Sequence, residues 1–291
     1  MSIKKVFTSV GYRCLYITLY ITSLLPATLL FMVANVSFLL IYHIFRYRRD
    51  VVLLNIARSF PNQRYDEISA IKRTFYRRFI MLFVDMVKAI SVSPQMMDQK
   101  IEFSGLSLLD NALDSGKSVI ACLGHCSNWE MLHFLSHKIN HEVYAVYKPL
   151  SSDIMNRLMI KLRTRFGMKV ITNKSVIRHI RTNDSPGAVY LFLADQCPNV
   201  NDEKFRYCFL NQDTYFFSGM EKLARKSNSV VVYLNVTQLS DGRYKVVCKP
   251  VSNCTNTEPE GEITRKYVRL LEENIKEQPG SWLWTHRRWK R

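Results

Sequence analysis

Residues 118–124 read Ser-Val-Ile-Ala-Cys-Leu-Gly, and this short run constrains the fold more than any other part of the chain. It is apolar without alternation, so it lacks the period of two that a half-solvated strand needs, and it is short for a core helix. It therefore predicts a strand buried on both faces, and 187–194 is a second run of the same kind. Strands of this type sit in sheets covered by helices on both sides. The segments between them carry helical spacing. In 152–166, Ile154, Leu158, Leu162 and Phe166 recur every fourth residue before Gly167. Further strands are expected at 142–147 and 169–172, and a hairpin at 229–238 and 244–251 around Ser240-Asp241-Gly242-Arg243. Helices are expected at 128–139, 175–182, 213–226 and 259–278, with a last extended piece at 282–289. The pattern is that of an α/β domain around a mostly buried sheet.

The first buried strand ends in Gly124, and His125-Cys126-Ser127-Asn128-Trp129-Glu130 follows. An imidazole can take a proton near neutral pH, and a carboxylate beside it can fix its tautomer. On one continuous helix the i and i+5 side chains diverge, at about 100° per residue. His125 and Glu130 can meet only if His125 lies in a turn and Glu130 in the helix after it. Gly124 suits the turn, and Ser127 or Asn128 suits the cap. The helix start would also point N–H groups toward a developing oxyanion. Asp195-Gln196 ends the other buried run, where α/β folds place ligand-contacting loops. His133, His137 and His141 recur at four-residue spacing but make neither a zincin nor a di-iron motif, and are expected at the surface or as caps. Cys126, a sequence neighbour of His125, is not expected to act as a nucleophile.

Between Arg13 and Arg46 the chain has no Asp, Glu, Lys or Arg. As one straight helix this stretch would run about 48 Å, against a hydrocarbon core of roughly 30 Å. Residues 1–45 are therefore expected to form a membrane anchor and 46–291 the α/β domain. Pro26 is the expected kink, and a re-entrant hairpin bending there stays open beside a span. Lys4, Lys5 and Arg13 precede the stretch; Arg46, Arg48, Arg49 and Arg58 follow it, a balance that slightly favours a cytoplasmic C-terminal side without deciding it. The net charge is +17, and 46–78 holds nine basic against three acidic residues. The helix expected after Pro61 has an apolar stripe, Ile68, Ile71, Phe75, Phe79, Leu82, Met86 and Ile90, with Lys72, Arg73, Arg77 and Arg78 beside it. It suits either a surface-lying helix on anionic lipid or a charged face over a core stripe. Seven irregularly spaced cysteines without a CxxC fit a reducing compartment, and no nucleic-acid motif accompanies the charge.

Read together in order, these blocks resemble the lysophospholipid acyltransferase superfamily, in its branch of late acyltransferases of lipid A biosynthesis. The resemblance rests on Tyr47-Arg48-Arg49-Asp50-Val51-Val52 with Asn55 and Phe60-Pro61, then Gly124-His125 with Asn128-Trp129-Glu130, and Val146-Tyr147-Lys148-Pro149. Arg165-Phe166-Gly167, Ala194-Asp195-Gln196 and the closing Trp284-Thr285-His286-Arg287-Arg288-Trp289-Lys290 complete it. Phe209-Leu210-Asn211 departs from the Phe-Gly pair of many members. The resemblance implies a glycerolipid-acyltransferase-like fold and a bacterial inner-membrane enzyme facing the cytoplasm. It implies His125 and Glu130 as the catalytic pair, acyl carrier protein or acyl-CoA as donor, and a lipid A precursor as acceptor. Substrate contacts are implied for Asn128, Trp129, Lys148, Arg165, Asp195 and Gln196, with Trp129 also suited to packing the turn. Arg287 and Arg288 suit either a phosphate clamp or a basic tail at the membrane. Trp129, Trp282, Trp284 and Trp289 suit either core packing or a membrane–water boundary. Such chemistry needs no metal or redox cofactor. Another lysolipid acceptor, or a non-enzymatic scaffold on anionic membranes, explains the charge and the anchor as well.

Overall fold

The structure, a computed structural model, describes residues 3–182, 187–198 and 201–289. Lys290 lies outside them, as do the side chains of Lys4 and Lys5. Seven strands make the main sheet, in the order β1 (Ile101–Ser104), β9 (Tyr244–Ser252), β8 (Val230–Gln238), β2 (Val119–Leu123), β5 (Val189–Leu193), β3 (Val143–Tyr147) and β4 (Lys169–Thr172). Neighbours run parallel except β8 and β9, which form the expected hairpin. All five residues of β2 are buried. Ile120 and Cys122 face one core, with Tyr267 and Leu271 of α10 (Glu262–Glu277). Val119, Ala121 and Leu123 face the other, with Leu109 and Leu113 of α6 (Ser107–Asp114). That two-sided burial is why the run lacks alternation.

The uncharged stretch is not one straight helix. α1 (Ile3–Ser23) ends just before Pro26, and α2 (Ala27–Leu39) runs on into a π-turn, Leu40–Ile44. Proline supplies no N–H, so the last carbonyls of α1 need other donors. Lys88, at the end of α4 (Tyr65–Lys88), donates to the carbonyls of Ser23 at 3.0 Å and Leu25 at 2.6 Å. Leu30, Ala34 and Phe38 are the buried stripe of α2, and the helix packs on α4. Tyr12, Leu15, Tyr16 and Leu19 of α1 pack toward Leu158 and Leu162 of α7 (Asp153–Arg163). The other faces stand open: Ile17, Ile21, Phe31, Met32, Val33 and Val36 are 50–63% exposed. Residues Ala27–Ile44 are long and apolar enough to cross a membrane. The stripe of α4 turns inward instead, with Ile68, Phe75 and Leu82 buried. Of the two readings open for that helix, the structure shows the core stripe.

Three local expectations are corrected. Residues 128–139 do not make an α-helix; Trp129–His137 is a 3₁₀ helix. Residues 213–226 do not form one helix, because β7 (Gln212–Tyr215) pairs with β6 (Arg206–Phe209) before α9 (Gly219–Ser227) begins. Residues 282–289 form turns held by side chains, with a single bridge between Cys126 and Trp282.

The β6–β7 hairpin explains the departure at Leu210-Asn211. Both residues have positive φ, 49° and 60°, as a two-residue primed turn requires. Glycine would relieve left-handed strain of about 1–2 kcal/mol at Leu210. However, the Leu210 side chain is fully buried. Emptying that site costs about 2–5 kcal/mol, so burial outweighs strain. Leu210→Gly is therefore expected to destabilise the protein in chemical denaturation. A rise in stability would show that strain dominates.

Candidate active site

The site is built by strand register. Leu123 of β2 pairs with Leu193 of β5 in the parallel ladder. His125 and Asp195 each lie two residues beyond that pair, so the chain emerges from the sheet with the two side by side. His125 Nδ1 lies 2.6 Å from Asp195 Oδ1, and the His125 backbone N–H donates to Asp195 Oδ2 at 2.8 Å. A carboxylate can only accept, so Nδ1 carries the proton and Nε2 keeps its lone pair. Gln196 Nε2 lies 3.5 Å from that atom. Asp195 is almost fully buried. Burial alone would push its pKa up; the His125 ring and N–H and the Trp282 indole outweigh this and hold it at about 2.

The turn between strand and helix is tightly fixed. A Cβ on Gly124 would come within 2.3 Å of Leu271 Cδ1 and 3.3 Å of Asp195 Oδ2, so a side chain there would crowd the carboxylate. The left-handed residue of the turn is Ser127, at φ 54°. Tyr267 donates to the Leu123 carbonyl at 3.0 Å, anchoring the strand end from α10. Trp129 packs edge-on against the His125 ring, with centroids 4.8 Å apart.

Glu130 does not meet His125. It takes two bonds from Arg163 at the end of α7, Nη2–Oε1 at 2.6 Å and Nε–Oε2 at 3.0 Å, and a third from the Trp129 indole at 3.2 Å. Burial would raise its pKa, but the Arg163 guanidinium wins and holds it below the ordinary value. The carboxylate beside His125 is therefore Asp195 and not the expected Glu130, with the ladder register as the physical reason. Arg163 carried no sequence signal, because nothing in a helix pattern says which strand turn its end will reach.

His125, Glu130, Trp129, Lys148 and Gln196 line one cleft of about 1170 Å³. Its walls are mostly apolar, among them Leu19 of α1, Phe83 and Met86 of α4, Met159 and Leu162 of α7, and Leu193. A nitrogen base lining a mostly apolar cleft suits a substrate with a reactive polar end and a hydrocarbon tail.

A model of the bacterial lipid A biosynthesis acyltransferases matches residues 6–291. The chain belongs to that family. A lipid A biosynthesis acyltransferase of Haemophilus influenzae is 21% identical over 193 residues, 66% of this chain. The match spans 60% of that protein's own length.

Within the lipid A acyltransferase frame, the remaining predicted residues separate into two groups. Lys148 stands exposed on the cleft rim, and Arg287 is exposed. The others are turned to structural work. Asn128 is buried and donates to Asp85 Oδ2 at 3.2 Å, under the turn rather than into the cleft. Arg165 donates to the Ala89 carbonyl at 2.7 Å and stacks on Phe166. Arg288 is 2% exposed, lies over the Phe216 ring and donates to the Tyr215 carbonyl at 2.5 Å. Neither the clamp nor the basic tail suits it, because its side chain is buried against the β6–β7 hairpin. Trp282 and Trp284 are interior side chains, which is the core reading. His133 is also buried rather than at the surface, with Nδ1 donating to the Glu130 carbonyl and its ring stacked on Phe166. Cys126 is buried, and burial pushes its thiol pKa well up, which leaves no thiolate to attack.

Proposed function

We propose that this protein transfers a fatty acyl chain from acyl carrier protein to a hydroxyl of a lipid A precursor at the cytoplasmic face of the bacterial inner membrane. Family membership supports the reaction class. The observation that carries the mechanism is the His125–Asp195 pair, with the His125 ring lining the apolar cleft. Nε2 of His125 accepts the proton of the acceptor hydroxyl as its oxygen attacks the thioester carbonyl. The carbon–oxygen bond forms, the carbon–sulfur bond breaks, and the proton taken by His125 passes to the leaving thiolate. Asp195 keeps the imidazole in the tautomer that presents a lone pair and steadies the imidazolium. Backbone N–H groups at the start of the 3₁₀ helix and the exposed Lys148 stabilise the oxyanion. The cleft receives the acyl chain, and the exposed faces of α1 and α2 sit in lipid, where both oily substrates are found. The basic residues beyond α2, Arg46, Arg48 and Arg49, meet anionic headgroups. The basic surface also suits an acidic carrier protein as donor.

Mass spectrometry of the lipid products tests this reading. Detergent-purified protein is given acyl carrier protein charged with several chain lengths, or acyl-CoA, and a panel of lipid acceptors. The expected result is a mass gain of one acyl group on a lipid A precursor, with the carrier protein preferred over CoA. Transfer only to a lysophospholipid would overturn the acceptor. No transfer from any donor, by folded protein that binds the acceptors, would overturn the reaction.

A further inference from the structure

We propose that Trp282 is a positioning residue for the acyl-transfer reaction, setting both the orientation and the basicity of Asp195 through its indole N–H. This rests on the reading of His125 and Asp195 as the catalytic pair. Trp282 Nε1 donates to Asp195 Oδ2 at 2.8 Å. Two of the bonds to this carboxylate come from His125 itself; Trp282 supplies one from a distant part of the chain. A carboxylate torsion is broad, and the Trp282 indole joins the His125 N–H on Oδ2 to fix the plane in which Oδ1 meets the imidazole. The indole is rigidly held, 2% exposed, edge-on to Trp284 at 4.7 Å and to Phe209 at 5.8 Å.

The segment around Trp282 also grips the catalytic turn. The Ser127 N–H donates to the Ser281 carbonyl at 2.7 Å, and the Leu283 N–H donates to the His125 carbonyl at 3.1 Å. These two bonds flank the indole and satisfy the backbone on either side of Cys126, where the left-handed Ser127 leaves no regular ladder. The segment is pinned at its far end in turn. Asn55 of α3 (Arg49–Ser59) donates to the carbonyls of Trp284 at 2.9 Å and His286 at 3.0 Å, and Arg48 donates to that of Thr285 at 2.9 Å. The region near the C-terminus is thus part of the active-site framework, and it couples the basic turn after α2 to the carboxylate behind His125.

Electrically, a neutral donor on Oδ2 draws charge from the carboxylate and limits how strongly it holds a protonated imidazole. The other titratable groups facing the pair are Cys126, Tyr233 of β8, Tyr267 of α10, Arg288, and His286 beyond Cys197. Burial keeps Cys126, Tyr233 and Tyr267 neutral across the working pH range. These three therefore contribute nothing to the acid limb of the rate profile.

Trp282→Phe tests the role, with Trp289→Phe as the control. Trp289 is a neighbouring indole that donates to Thr214 Oγ1 at 2.8 Å, away from the pair. In Trp282→Phe, kcat is expected to fall about tenfold with KM little changed, as for loss of one bond to a charged group. The acid limb of kcat/KM is expected to move up by about half a pH unit, because the carboxylate becomes more basic. The low-field proton resonance of His125 Nδ1–H is expected to shift with it. Trp289→Phe should move none of these. If Trp282→Phe does not fold, 3-benzothienylalanine at 282 keeps the ring shape and removes only the donor, and the same readouts apply. An unchanged acid limb and an unchanged resonance in a folded donor-less protein would overturn the proposal. A wild-type rate in Asp195→Asn would overturn the pair and this role with it. An inactive Asp195→Asn beside an unaltered Trp282 variant would overturn this role alone.

Discussion

Asp195→Asn is expected to lower acyl transfer on the order of a thousandfold or more, and His125→Ala to abolish it to background. The loss in the asparagine variant comes from the tautomer. Wild-type Asp195 accepts from Nδ1 and leaves Nε2 as the free base. An amide that offers its N–H to Nδ1 drives the proton onto Nε2, where it blocks the hydroxyl. Shape is nearly conserved, so circular dichroism should stay close to wild type while single-turnover transfer collapses. The same carboxylate carries a pH signature in stability. Its folded pKa, about 2, lies below the ordinary carboxylate value of 3.8. The stabilisation is therefore present above the unfolded pKa and is lost as pH falls through about 2. Transfer by Asp195→Asn within a few-fold of wild type would show that the orienting carboxylate lies elsewhere.

Arg163→Ala is expected to cost about 3–5 kcal/mol of stability, because it strands a buried carboxylate. The Glu130 side chain is 12% exposed and that of Arg163 is 20%. The pair is bidentate, and it joins the start of the 3₁₀ helix to the end of α7 across one wall of the cleft. The double variant Glu130→Ala with Arg163→Ala should be less damaged than Arg163→Ala alone, since it leaves no unpaired charge. Denaturant titration of the four proteins gives the coupling. A single-variant loss under about 1 kcal/mol would mean that water reaches the pair and that it behaves as a surface ion pair. The pH dependence has the same sign as for Asp195. Glu130 is held below its ordinary value, so its contribution disappears as pH falls through the acidic range.

Much of the sheet was legible because burial on both faces leaves a plain mark in sequence. The runs at 118–124 and 187–194 became β2 and β5 within a residue or two, and 169–172 is β4. The hairpin of β8 and β9 announced itself through Asp241-Gly242. The misses have physical causes as well. Residues 213–226 carry helical spacing in their second half, and the strand pairing of 212–215 depends on a primed turn at Leu210-Asn211 that lacks the usual glycine. Helical propensity in 128–139 lost to a left-handed Ser127 and a tight 3₁₀ path. Arg288 reads as a free cation in sequence because its partner, the Tyr215 carbonyl, is backbone and leaves no trace there.

The sequence by itself determined that His125 would stand at the end of a buried strand, that Asp195 would end another, and that an uncharged stretch broken at Pro26 would precede them. Those are local facts, set by residue type, spacing and the missing N–H of proline. Which carboxylate reaches the imidazole was decided only by the tertiary structure. β2 and β5 are far apart in sequence, and nothing local makes them neighbours. Once they pair with Leu123 opposite Leu193, the ladder repeat brings Asp195 to His125 and leaves Glu130 to Arg163. Side-chain partnership across a sheet is a property of register, and register is fixed by the packing of the whole core.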